Sequence, residues 1–574
     1  MVAFSMARLI HLSCIVNFFF GNLLCSSGQD FDFTLSNQTT PIKSTTAIPP
    51  LHKEVSEAIG SKSGLLFTPK ENLDWHRDLN QEDPLRFSVT VDPESFSHGW
   101  LTVWNWKNEP VLQFRLESGE AKDVNFRIEG AGSYLITIDG MVEGMVQKRL
   151  IRNIARTADL TSARKMWTKD FFLGICTFPG RYHWSVGGES VRPESLTEQQ
   201  ARDLEADYMA RLGFQVVRVD ESMEMGRSKT GGEDAYVWNF DRMDAAVDAY
   251  VSRGMRLDLQ LMNAPDWAVL PKYEDEEEHW WRYPHSEKEQ RAFVRALLER
   301  YAEHTRFVQI FNEPDQIEFW AGDPEEFVDQ FQFTHDEIRN FSKDLPVANG
   351  GYAFVDKTKV EYFATELRPF IDFPSYHSHG TLETMRATFD EMKEIHTAAG
   401  YTDPQFVNSE TGFDAWRLDQ ERRQAQAVAQ KVLYCWANGH RGILLFCGRM
   451  AKGPGREDRD LGLLDYEFCP RFSYAAVSGL VSVLAGAEFE KTHLQGENSF
   501  VYEFRNDEDI IVAAFSLEEK GEEFTIQSDA TDAVIVDSMG NRDRPVAGRS
   551  LSMHLDAYPK YIIFKGARSV GVME

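Results

Sequence analysis

From about Leu65 to Arg164 apolar and polar residues alternate in short runs: Arg86-Phe87-Ser88-Val89-Thr90-Val91, Leu101-Thr102-Val103-Trp104, Phe114-Arg115-Leu116, Val124-Asn125-Phe126-Arg127-Ile128 and Tyr134-Leu135-Ile136-Thr137-Ile138. A period of two, broken by Gly, Asp, Asn and Pro, predicts strands with one buried face, and a series of them predicts a β-sandwich over residues 62–164. At Phe171 the rhythm changes to apolar runs separated by amphipathic helices, the pattern of parallel βα units. The predicted strands are Phe171 to Thr177, Gln215 to Asp220, Arg256 to Met262, Phe307 to Phe311, Pro346 to Asn349, Ile371 to His377, Gln405 to Ser409 and Gly442 to Cys447. Their centres are continuously apolar, as strands covered on both faces must be. Between them, Ser286-Glu287-Lys288-Glu289 reads as a capping box and Asp323-Pro324 as a capped helix start with proline in the first turn, while Gly213 and Gly254 stop the first two helices. The predicted fold class is α/β: a (β/α)8 TIM barrel over residues 165–487. Short strand-like runs return in Phe500 to Phe504, Ile510 to Phe515, Ala533 to Val536 and Tyr561 to Phe564, so residues 488–574 are predicted to form a C-terminal all-β domain.

The N-terminal end follows neither rhythm. Arg8 is the only charge before Asp30, and Leu9 to Leu24 is almost unbroken apolar sequence followed by Ser26, Ser27 and Gly28. This is the pattern of a secretion signal over residues 1–28, too short and too lightly flanked for a membrane span. Ser36 to Pro50, rich in Ser, Thr and Pro, extends it as a linker over residues 29–61. No second apolar stretch is long enough to span a bilayer, so the mature chain is expected to have no membrane span. The charge of −29, from 61 Lys and Arg against 90 Asp and Glu, argues against a nucleic-acid partner and against adsorption to an anionic membrane. Of six cysteines, Cys14 and Cys25 fall in the leader; Cys176, Cys435, Cys447 and Cys469 have no metal or redox spacing and read as buried thiols.

In such a barrel the reactive groups sit at the C-terminal strand ends. Two ends carry carboxylates: Phe311-Asn312-Glu313-Pro314-Asp315 at the fourth strand and Val407-Asn408-Ser409-Glu410-Thr411-Gly412 at the seventh. Strands four and seven lie across the ring, so the two groups face each other over its mouth. Facing carboxylates suit glycosidic-bond cleavage, one protonating the leaving oxygen and the other attacking or activating water.

Asn312-Glu313-Pro314 together with Glu410 resembles the signature of clan A of the glycoside hydrolases, the retaining (β/α)8 glycosidases. The continuation to Phe319-Trp320, and Asp537-Ser538-Met539-Gly540-Asn541 with Tyr558-Pro559-Lys560-Tyr561 in the last domain, resemble the β-xylosidase and α-L-iduronidase family. The resemblance runs from about Phe171 to Phe564 and leaves out the N-terminal sandwich. It implies Glu313 as acid/base and Glu410 as nucleophile, Asn312 on the sugar's 2-hydroxyl, and Arg218 orienting and stabilising Glu410. It also implies an aromatic and His cluster at strand six, matched by Tyr376, His377 and His379. His379 stands where the family commonly places a Tyr on the nucleophile, and Leu444 to Arg449 lacks the family's strand-eight Trp.

Sugar faces stack on aromatic rings, which makes Trp267, Trp280, Trp281, Trp320 and Trp416 candidate substrate platforms; for any one of them packing against the barrel rim is equally open, but of Trp280 and Trp281, in a long loop beside an acidic run, at least one is expected to face the cleft. One of His377 and His379 is open to a packing role, and a metal shared by them is not expected. No cofactor and no metal are called for. The reading is a secreted retaining glycosidase acting on β-linked oligo- or polysaccharides by double displacement. The alternative is a catalytically inactive secreted carbohydrate-binding protein on the same barrel. Hydrolysis and transglycosylation read alike at this level.

Overall fold

In a computed structural model the described residues are 64–69, 75–79, 84–163, 171–186, 189–219, 228–229, 236–264, 266–276, 282–415, 418–450, 460–506, 509–518, 520–543 and 545–573. The predicted leader and linker lie outside them. So do Trp280, Trp281 and Trp416.

Eight parallel strands form one sheet: Phe172–Thr177, Val216–Val219, Arg256–Leu261, Thr305–Ile310, Val347–Ala348, Ser375–His377, Val407–Thr411 and Gly442–Phe446, called barrel strands 1 to 8 below. Strand 8 pairs with strand 1, and parallel bridges Ala348 to Phe373 and Tyr352 to Tyr376 join strand 5 to strand 6, which closes the ring. Helices Glu198–Arg211, Asp241–Val251, Glu287–Tyr301, Pro324–Phe341, Lys357–Glu366, Leu382–Ala398, Leu418–Ala437 and Phe472–Leu484 surround it. The molecule is a (β/α)8 barrel flanked by β-sheet domains. Strand 6 is shorter than expected because Pro374 has no N–H to give to the ladder, so regular pairing starts at Ser375. The barrel interior is filled by Phe172, Cys176, Val216, Phe307, Ala348, Phe373, Val407 and Leu444. All four described cysteines are free and buried.

One helix start differs from expectation. Ser286 sits at the N-cap position, yet its side chain makes no cap bond. The pattern proves right at Asp323, whose N–H is accepted by Glu326 Oε2 at 3.2 Å, with Pro324 in the first turn.

The N-terminal region folds as two sheets, Leu65–Pro69, Leu85–Val91 and Lys122–Phe126 against His76–Asp78, Met145–Thr157, Gly132–Val142, His98–Asn105 and Pro110–Glu117. Phe87, Val89, Val91, Leu101, Val103, Ile136 and Ile138 fill the space between them. The larger sheet is also covered on its outer face, where Trp104 and Leu135 pack on Phe472, Ala475 and Ala476 of the last barrel helix. That is why Trp100 to Trp104 is buried without alternation. At the C-terminal end a six-stranded and a three-stranded sheet enclose Val501, Val512, Ile526, Leu555 and Ile562. The opposite face of the larger sheet, with Phe500, Tyr502, Phe504, Phe515 and Tyr561, joins the barrel core. The Asp537 to Asn541 turn fastens this domain to the sandwich: Asn541 Oδ1 accepts the Ala131 N–H at 2.7 Å and its Nδ2 donates to Ala131 O at 2.9 Å.

On the outer face of the larger sandwich sheet Arg149 pairs with Asp139, both side chains 1% exposed. Burial outweighs the guanidinium and lifts the Asp139 carboxyl above its usual value, so the pair is held at a cost. Arg149→Met, leaving Asp139 unpaired, is expected to destabilise the protein by about 3–5 kcal/mol, whereas the double variant Arg149→Met with Asp139→Leu, which removes both charges, costs ~1 kcal/mol or less. Calorimetric scans of the two variants check this.

Candidate active site

At the end of barrel strand 4 the backbone turns sharply. Phe311 and Glu313 have φ of 74° and 42°, a left-handed conformation that costs a side-chain-bearing residue about 1–2 kcal/mol. The turn is held by neighbours: Glu313 N–H donates to Gly350 O at 2.8 Å. The buried Asp315 carboxylate accepts the N–H groups of Ala353 at 3.1 Å and Val355 at 2.8 Å. Glu313 is thereby aimed into the mouth, where Gln316 Nε2 donates to its Oε2 at 2.5 Å.

Glu410 projects from barrel strand 7 and receives a hydrogen bond from the Arg218 guanidinium on strand 2. The Arg218 side chain is 1% exposed, so the pair is held away from solvent screening. His377 stands between the two carboxyl groups. Its Nδ1 lies 2.6 Å from Glu313 Oε1 and 3.6 Å from Glu410 Oε1, and its Nε2 lies 3.1 Å from Ser409 Oγ. Its seat requires glycine at 351: a Cβ there would overlap His377 Nε2, and φ is +67°. His379 Nε2 approaches Glu410 Oε2 at 3.5 Å, with its ring edge-on to Phe446, centroids 5.3 Å apart. Both histidines reach Glu410, because residues two apart in extended chain share a face. Neither is merely packed.

A carboxylate oxygen of Glu313, one of Glu410 and a ring nitrogen of His377 all lie within 4.8 Å of one another. The environments of the two acids differ in sign. Burial, then the charge of Glu410, pushes the Glu313 carboxyl well above the usual range, so it keeps its proton. Burial also acts to raise Glu410, but Arg218, His377 and His379 outweigh it and hold that carboxyl below the usual range. The same three groups are close enough for a divalent ion, yet the guanidinium on Glu410 opposes a cation there.

Asn312, 7% exposed, accepts a hydrogen bond from Gln260 Nε2 at 3.0 Å beside Glu313. Two expected contacts are corrected. Trp320 is fully buried between Phe311 and Phe327, and its indole N–H donates to Asp323 O at 3.1 Å, so it packs the loop instead of meeting a ligand. Tyr376 points from strand 6 to the helix layer, where its hydroxyl sits 2.9 Å from His440 Nε2 among Phe389 and Phe406. Trp267 is half-buried against Trp238, ring centroids 6.1 Å apart. Sequence reasoning missed Gln260 and Gln316. Gln260, two residues before Met262 at the strand 3 end, falls on the inward face by alternation, and Gln316 lies one turn beyond Glu313; both signals were available.

No protein-family model matches the sequence, and no curated protein does. Solved structures do. The molecule has the fold of a (β/α)8 barrel with appended β domains. It is similar to a family 39 glycoside hydrolase from the gut symbiont Bacteroides cellulosilyticus WH2, with TM-score 0.61 and 16% identity over 87% of this chain and 100% of that one. A monomeric β-xylosidase from Caulobacter crescentus CB15 matches with TM-score 0.49 and 14% identity over 70% of this chain and 97% of that one. A GH30 endoxylanase from Clostridium papyrosolvens C71 matches with TM-score 0.48 and 12% identity over 69% and 97% respectively.

A carboxyl group whose folded pKa is raised costs nothing below its ordinary value of 4.5 and destabilises increasingly as pH climbs from there towards the folded value. Glu313→Gln should therefore raise the melting temperature by an amount that grows from pH 5 to 8. Glu410→Gln removes the carboxylate charge that faces the buried Arg218 guanidinium and should lower stability by ~3 kcal/mol. Thermal unfolding of both variants over that pH range decides the assignment of charge.

Proposed function

We propose that this protein is a retaining glycosidase working by double displacement, with Glu410 as nucleophile and Glu313 as acid/base. The observation that carries the reading is the pair of carboxyl groups within 4.8 Å whose surroundings act in opposite directions, burial and the neighbouring charge raising Glu313 and Arg218 lowering Glu410. Retaining glycosidases set their carboxyl groups about 5–5.5 Å apart, and inverting ones roughly 6.5–9.5 Å apart to admit a water molecule. In the first step a Glu410 oxygen bonds to the anomeric carbon as the glycosidic bond breaks and the Glu313 proton passes to the leaving oxygen. In the second, the Glu313 carboxylate takes a proton from water; the water oxygen bonds to the anomeric carbon and Glu410 leaves. His377, hydrogen-bonded to Glu313 Oε1, fixes the group that must change protonation state between the steps. Arg218 keeps Glu410 ionised for attack.

The substrate class is β-linked oligo- or polysaccharide. The apolar Leu9 to Leu24 run supports delivery outside the cytoplasm. Among the described residues, no helix is long and apolar enough to cross a membrane.

Proton NMR of the first-formed anomer on a panel of aryl β-glycosides should show retained configuration; an inverted product defeats the mechanism, and no turnover across the panel favours a binding protein. Glu410→Ala should abolish turnover. Glu313→Ala should lose about 10²–10⁴-fold on poor leaving groups and far less on activated aryl glycosides. Trp267→Ala should raise KM more than it lowers kcat, since stacking remote from the breaking bond contributes uniform binding.

A further inference from the structure

Barrel strands 6 and 7 leave the ring side by side just where the site is presented. Ser378 N–H donates to Glu410 O at 2.9 Å, and Gly380 N–H donates to Gly412 O at 2.8 Å. Ser378 separates His377 from His379, and Thr411 and Gly412 follow Glu410. Into this junction the helix Leu418–Ala437 sends Lys431, whose side chain is buried at 1% exposure. Its Nζ lies 3.0 Å from Thr411 Oγ1, 3.1 Å from Gly412 O and 3.4 Å from Ser378 O. Thr411 Oγ1 in turn donates to Ser378 O at 2.6 Å.

These acceptors are neutral, and no carboxylate pairs with Nζ among the described residues. The titratable group that acts on it is the Cys435 thiol one turn along the same helix, itself beside the Tyr376 phenol of strand 6. From the neighbouring helix, Asp390 and Arg386 act on Tyr434. On the barrel side the chain neighbours of its acceptors are His377 and His379, either side of Ser378, and Glu410, before Thr411. An ammonium has three N–H donors for three oxygens; a neutral amine has two, and must turn its lone pair towards the third. Burial brings the Lys431 pKa down to about 7, into the range where an enzyme works.

We propose that Lys431 is a positioning residue: its ammonium clamps the junction of barrel strands 6 and 7, fixing Glu410, His377 and His379 relative to one another, and loss of its proton releases them. The kinetic half of this rests on the glycosidase reading; the structural half does not.

The test uses the full chain with Lys431→Met and, as a variant that keeps the charge, Thr411→Val. By hydrogen exchange and mass spectrometry, segments 375–381 and 407–415 of Lys431→Met should exchange about tenfold faster with the remaining barrel strands unchanged. On 2,4-dinitrophenyl β-glycosides, whose departure needs no proton from Glu313, wild-type kcat should fall on the alkaline side with a midpoint near 7. Lys431→Met should lose that limb, with kcat reduced about tenfold and KM little changed. Thr411→Val, with one acceptor fewer, should move the midpoint to lower pH. Unchanged exchange in both segments, or an unaltered alkaline limb in both variants, overturns the proposal. Should Lys431→Met fail to fold, Thr411→Val decides both readouts. Should no glycoside be turned over, the glycosidase reading falls and the exchange data alone decide Lys431.

Discussion

Two buried carboxyl groups within 4.8 Å of each other cannot both be ionised without a large penalty, and the site is organised around how that conflict is resolved. Arg218 resolves it by siding with Glu410. Once that charge is fixed, burial and the negative Glu410 together push the Glu313 carboxyl up, against the weaker pull of His379 and Arg218. One guanidinium therefore makes a base of one acid and a proton donor of the other, and it does so only because both sit in a mouth too dry to screen them.

The backbone around the pair is built to keep that asymmetry. The left-handed turn at Glu313 is a conformation the chain does not adopt freely, and Asp315 and Gly350 hold it by bonds to the strand 5 loop. His377 occupies space that any side chain at position 351 would take. Gly412 lets strand 7 pass so near to Phe446 O that a Cβ at this position would overlap it. Precision at the carboxyl groups thus depends on small residues and backbone bonds in strands 5 to 8, none of which reacts.

The flanking domains serve the same end at longer range. The outer face of the sandwich and the inner face of the C-terminal sheet both close on the barrel's helix layer, and the Asn541 side chain ties one domain to the other. Asn153 of the sandwich also donates to Glu421 Oε2 at 2.8 Å, at the start of the helix that carries Lys431. Burial on both faces explains why Ile510 to Phe515 is one continuous apolar run where a solvent-facing sheet would alternate.

Period-two and helical repeats encode which face of an element is buried, so the eight βα units and both β regions were legible along the chain, as was the placement of Glu313 and Glu410 on opposite sides of one mouth. The sequence, through its family resemblance, also marked Arg218, His377 and His379. It misjudged Trp320 and Tyr376, because whether a ring meets solvent or core depends on what packs over it: for Trp320, Phe311 and Phe327; for Tyr376, a helix layer with Phe389 and His440. It gave no hint of Lys431, an ordinary polar residue on a helix until strands 6 and 7 bring three oxygens to it. Sequence determines periodicity and the kinds of groups present. Distance decides charge state, and distances between residues tens or hundreds of positions apart exist only once the ring has closed.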